Sequence, residues 1–110
     1  MRAYELMIIL DGELDDTAVE AGVRRIADQI AAKGGEIKTT DRWGKRRFAY
    51  EINHKHEGYY VVFEVTGEGT GHDDLERQLR LADDIVRHKL IRLPDHEATR
   101  RGLLGAQAPA

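Results

Sequence analysis

The chain contains no cysteine and no serine. Without thiols there is neither a disulfide nor a cysteine-based zinc site, and a reducing compartment suits it. The two commonest acyl-transfer nucleophiles are missing with them. Long apolar runs are absent too. The opening MRAYELMIILDGELDD offers five consecutive apolar residues before the acids begin, too few for a signal-peptide core or a membrane span, so a cytoplasmic protein is expected. The glycine-rich GEGTG at 67–71 lacks the Lys-Ser/Thr ending of a phosphate loop and reads as a linker. His54 and His56 stand two apart with no third ligand at a recognisable spacing, and His72, His88 and His96 are scattered. No metal and no cofactor is expected from them. The acid pairs Asp15-Asp16 and Asp73-Asp74 fall at expected helix starts, where the helix dipole accounts for them without catalysis.

What is present fits one soluble domain. A chain of 110 residues can bury one modest core without staples. The net charge of −3 argues against a broad polyanion grip, but the charges are unevenly spread. Residues 1–35 hold 4 cations and 7 anions and residues 58–94 hold 5 and 7, whereas residues 36–57 hold 6 and 4. An acidic body with one basic ribbon suits a focused contact with phosphate or with an acidic protein, or else a solvated charged face. The ribbon centres on WGKRRFAYEIN at 43–53.

Residues 3–10, AYELMIIL, read as a first strand ending in the turn pair Asp11-Gly12. Val19, Val23, Ile26 and Ile30 mark one face of a helix over 16–33, with Thr17 and Glu20 as a capping box and Gly34-Gly35 as its stop. Residues 36–53 form a long second strand with a bulge or bend at Gly44. In that strand Phe48, Tyr50 and Ile52 are expected to anchor the segment. A polar turn NHKHEG at 53–58 leads into a third strand, YYVVFEV at 59–65. A second helix over about 72–82 buries Leu75, Leu79 and Ala82, and IVRHKLIRL at 85–93 is a fourth strand stopped by Pro94. The last stretch has weak periodicity and reads as a flexible tail, with at most a frayed helical turn. The fold class is therefore α+β: a ferredoxin-like βαββαβ domain over 1–94, with a tail at 95–110. Its four-stranded antiparallel sheet takes the order 4-1-3-2 and carries both helices on one face.

Two helices cover only one face of such a sheet. An open face in water normally alternates apolar with polar residues, and strands one and three do not. If Leu6, Ile8, Val61, Phe63 and Val65 face the helices, then Met7, Ile9, Tyr60 and Val62 face away as cross-strand neighbours. Such a patch favours a protein partner. Strand two is an edge, where its cations also discourage edge-to-edge aggregation.

The run Gly44-Lys45-Arg46-Arg47-Phe48-Ala49-Tyr50-Glu51-Ile52-Asn53 closely resembles the signature of the sixth small-subunit ribosomal protein family of bacteria. That pattern runs Gly, any residue, basic, polar, Leu, small, Tyr, any residue, Ile, polar, and Phe48 in place of Leu is the one departure. The opening MRAYELMIIL, Gly58-Tyr59-Tyr60 and LERQLRLADDIVRHKLIR are similar to that family as well, so the likeness spans 1 to about 94. The resemblance implies a non-enzymatic structural protein of the 30S subunit. It further implies binding to the central domain of the small-subunit ribosomal RNA, in company with the eighteenth small-subunit protein.

Arginine forks match phosphate oxygens and flat aromatics stack on bases, which makes Arg2, Arg42, Trp43, Lys45, Arg46, Arg47, Arg80, Arg87 and Arg92 the candidates for RNA contact. Edge protection and ordinary ion pairs would explain the same cations without RNA. Two other functions share the βαββαβ order. A single-strand RNA-recognition domain would stack bases on strand three, and Glu57-Gly58-Tyr59-Tyr60-Val61-Val62-Phe63 echoes its motif with an acid where a cation belongs. A small-molecule sensor would need a concave polar pocket, and none is legible.

Overall fold

The computed structural model describes residues 1–69 and 72–104. The hydrophobic strand β1 (Arg2–Asp11) runs through the middle of the sheet, antiparallel to β3 (Lys55–Gly67) on one side and β4 (Ile85–Leu93) on the other. The edge strand β2 (Glu36–Ile52) pairs with β3, so the order is β2-β3-β1-β4, as expected from the element order. Helices α1 (Asp16–Ala32) and α2 (His72–Leu81) pack on one face.

The core between helices and sheet follows from alternation. Leu6, Ile8 and Leu10 of β1 and Val61, Phe63 and Val65 of β3 point to one side, where Val19, Val23, Ile26 and Ile30 of α1 and Leu75 and Leu79 of α2 meet them. Leu6, Ile8, Leu10, Ile26 and Phe63 are fully sealed from solvent. The Arg25 fork on both oxygens of Asp84, at 2.9 and 2.7 Å, ties α1 to the turn before β4.

Several local expectations are revised. The cap of α1 is Asp15, whose carboxylate accepts from the Ala18 backbone N–H at 2.8 Å, and not Thr17. The helix starts two residues earlier than a Thr17 cap would set it, and Asp supplies a stronger, charged acceptor there. Ala82 lies beyond the end of α2 and is half-buried. The expected six-residue turn after β2 shrinks to Asn53-His54, with φ of +50° and +63°, and Lys55 already belongs to β3. Two successive left-handed residues match the right-handed twist of a hairpin, and Asn tolerates them better than most residues. The expected bulge does occur: the β2–β3 register shifts between Arg42 and Gly44, and Gly44 has φ +86°.

The tail reading also changes for residues 95–104; residues 105–110 lie outside the described residues. After Pro94 the chain forms α3 (Asp95–Arg100), and Ala98, Leu103 and Leu104 are buried against Ala3 and Leu93. Ala3 alternates with the helix-facing Tyr4 and Leu6, so this second small core sits on the sheet face away from α1 and α2. Weak periodicity hid it because its apolar residues are divided between one short helix and the turn that follows. Arg101 fastens the segment, donating from Nη1 to Glu5 and Glu64 at 3.1 Å each and from Nε to Glu97 at 2.6 Å.

Candidate nucleic-acid and partner interface

The rest of that sheet face is shaped by the β2–β3 hairpin. At its tip the Asn53 side-chain amide donates to the Val86 carbonyl at 2.9 Å, at the start of the far edge strand. Lys55 reaches Asp11 at 3.0 Å and Glu13 at 3.4 Å. The Glu13 backbone N–H first, and Lys55 after it, hold the Asp11 carboxyl below its usual value against the opposing effect of burial. The hairpin is thus tied to β1 and β4, and an open groove of about 370 Å³ lies between its arm and the sheet.

Met7, Ile9 and Tyr60 contribute the apolar floor, Phe48, Tyr50 and Ile52 the arm, and Arg47, Arg87 and Lys89 the charge. Phe48 reaches the floor because residue 58 is glycine: a Cβ there would stand 2.5 Å from Ile9 Cγ2 and 3.1 Å from Phe48 Cζ. The four residues expected to form an exposed apolar patch are therefore partly covered by the chain itself. Ile9 and Val62 are buried, while Met7 and Tyr60 stay half-buried. Tyr50 is not the anchor its pattern suggested, being 72% exposed, whereas Phe48 and Ile52 are half-buried.

The candidate cations separate by environment. Arg42 is turned to α1 and grips Glu20 with Nε and Nη2 at 3.1 and 3.0 Å. Lys45 stands 3.5 Å from Glu57 and lies over the Tyr59 ring. The Arg46 guanidinium lies over the Trp43 ring, 5.2 Å from its centroid. Arg47 and Arg87 converge on the groove. Arg2 is exposed at the sheet end beside Gly69, Arg80 is exposed in the last turn of α2, and Arg92 is exposed in register with Tyr4. Sequence reasoning missed Lys89, although its place two residues after Arg87 on β4 puts both on one face. Among the described residues Arg46, Arg47, Arg87 and Lys89 have no carboxylate at ion-pair distance, unlike Arg42 and Lys45.

The histidines engage separate neighbours, except that two of them share one carboxylate. His54 and His56 both lean on Glu51, at 3.3 and 3.7 Å, His88 meets Glu76 at 3.6 Å, and His72 meets the Tyr4 ring edge-on. The stacking surface that an RNA-recognition domain would need on β3 is filled from within. Trp43 stacks on Tyr60 with an interplanar angle of 8°, and Phe48 packs against the same ring at 70°.

Comparison with known proteins agrees with this architecture. Residues 3–92 match the family described as ribosomal protein S6. The small ribosomal subunit protein bS6 of Carboxydothermus hydrogenoformans is 48% identical over 92 residues, 84% of this chain and 96% of the relative. That of Beutenbergia cavernae is 45% identical over 96 residues, 87% of this chain and 100% of the relative. The crystal structure of 30S ribosomal protein S6 from Thermotoga maritima superposes with a TM-score of 0.85 at 32% identity, covering 94% of this chain and 97% of that one. The match takes in the whole sheet and both core helices, so the chain belongs to the ribosomal protein S6 family and is a structural, non-enzymatic protein of the bacterial small ribosomal subunit in the cytoplasm.

Proposed function

We propose that the chain binds the central domain of the small-subunit ribosomal RNA together with the eighteenth small-subunit protein. The groove takes the protein partner, and the cations along its rim and on the sheet ends take the RNA. One observation carries this reading: Arg47, Arg87 and Lys89 line an apolar groove without carboxylate partners among the described residues. Cations left unneutralised beside apolar surface suit a contact completed by another molecule. Met7 and Tyr60 supply the floor of that contact, with Ile9 and Val62 sealed beneath as support. Arg2, Trp43, Lys45, Arg46, Arg80 and Arg92 are exposed or half-exposed and available to phosphate or base. Arg42, held by Glu20, must first release that carboxylate and contributes least.

The test is reconstitution of small subunits at varied salt. Neutralising Arg47, Arg87 and Lys89 together changes the log–log salt slope of RNA association by roughly two to three, at about 0.7–0.9 per phosphate contact. An unchanged slope removes them as phosphate contacts. Amide exchange in the assembled subunit protects β1 and β3 around Met7 and Tyr60, and equal exchange in free and assembled forms removes the groove as the partner site.

A further inference from the structure

Trp43 is the chain's single tryptophan, and its position is built with unusual care for an exposed residue. The bulge before Gly44 carries it onto the sheet face away from the core helices, where its ring lies 5.9 Å from Tyr60 in a near-parallel stack. Phe48 braces Tyr60 from the side, with ring centroids 6.2 Å apart. The indole N–H donates to Asp41 at 3.1 Å, which fixes the ring's rotation. Despite these contacts the ring remains 43% exposed. The group over it is the guanidinium of Arg46, with no carboxylate partner among the described residues, and Lys45 and Arg47 flank it in the chain.

From this we infer that Trp43 is a stacking seat for one unpaired nucleobase of RNA. The inference rests on the RNA-binding reading above and adds what the RNA must present there: a base free of its own stack, beside a phosphate. In the free chain Arg46 covers the indole through a cation–π contact, which is weak at an exposed site. A base brings a larger flat surface, and Arg46 then moves from the ring to the adjoining phosphate, where a guanidinium forms two parallel hydrogen bonds. The ring is held in place beforehand, so the base alone must be ordered. An apolar protein side chain on Trp43 would leave the Arg46 guanidinium over the ring unused, and a bare phosphate would not make use of the ring.

Because the tryptophan is unique, its emission reports the seat directly. The full chain is titrated at low salt with a single-stranded oligoadenylate, with an RNA duplex of the same length and with tripolyphosphate, while end-labelled RNA measures occupancy independently. Oligoadenylate quenches Trp43 emission, and the duplex and tripolyphosphate do not at equal occupancy. Trp43→Leu binds oligoadenylate roughly tenfold more weakly with duplex binding unchanged, and Trp43→Phe keeps most of the affinity. Arg46→Gln retains the quenching but lowers the salt slope by about 0.7. Thermal melts of each variant show whether the domain remains folded, and the contrast in Trp43 quenching between oligoadenylate and duplex on the unaltered chain carries the test if Trp43→Leu does not fold. Oligoadenylate that binds without quenching, or binds Trp43→Leu as tightly, overturns the seat and leaves the phosphate contacts standing. Failure to bind oligoadenylate by a chain that still enters small subunits overturns the seat alone. A chain that fails to enter small subunits overturns both.

Discussion

Replacing Arg101 by alanine removes the fastening of the C-terminal segment and leaves two carboxylates facing each other across the sheet. Glu5 and Glu64 are direct cross-strand partners, and Arg101 stands 3.1 Å from both. All three side chains are partly shielded, with 28% exposure for Arg101, 30% for Glu5 and 21% for Glu64. Two such pairs contribute about 0.5–1 kcal/mol each, and like charges left facing each other add up to about 1 kcal/mol. The expected destabilisation is about 2 kcal/mol, a fall in Tm of roughly 10 °C for a domain of this size. In a Glu5→Gln, Glu64→Gln background the same substitution costs less than about 1 kcal/mol, because no repulsion remains to be exposed. Arg100 first and Arg101 second hold the Glu97 carboxyl down to about 2, from an ordinary value of 4.5. A carboxyl lowered on folding stabilises the native state above its free-chain value, and that contribution is lost as pH falls through the folded one. The Tm gap between wild type and Arg101→Ala therefore narrows as pH drops from about 5 toward 2. Thermal melts across this window, with amide exchange at 98–104, provide the measurement. A Tm change below about 2 °C, with the protection of Ala98 intact, would refute the assignment of Arg101 as the fastener.

Two further substitutions test local assignments. Asp15→Ala destabilises the chain by about 1 kcal/mol in chemical denaturation while Thr17→Ala is close to neutral, and the reverse order would return the α1 cap to Thr17. Gly58→Ala forces a Cβ to within 2.5 Å of Ile9 Cγ2 and 2.8 Å of the Leu10 carbonyl oxygen, and overpacking of this kind costs about 1–3 kcal/mol; an unchanged denaturation midpoint would show that Phe48 and Ile9 yield freely.

The short apolar runs of β1 and β3 with their turn residues, the four-three-four spacing in α1 and the Pro94 stop after β4 were enough to specify βαββαβ without coordinates. Each is a short-range pattern whose buried face follows from the geometry of one element. The basic ribbon and its family signature were legible for the same reason, as contiguous residues on one strand. The pairing of cations with acids was not, because Glu20 and Arg42 are far apart in sequence and meet only when α1 lies beside β2. Lys89 was missed for a similar reason: it shares a groove with Arg47 that no single strand contains.

The sequence by itself thus determined the element order, the helix-side core and the strand that holds the basic ribbon and the family signature, since periodicity and turn residues act locally. Tertiary structure decided which of those residues remain available. The hairpin folds across to Val86 and Asp11, Phe48 passes over Gly58 to cover Ile9, and Arg101 draws the C-terminal segment onto two opposed carboxylates. Those contacts join residues distant in the chain, and their energies depend on shape and charge brought together only by folding. They turn an open sheet face into a bounded groove with an aromatic stack at one side and an α3 cap at the other.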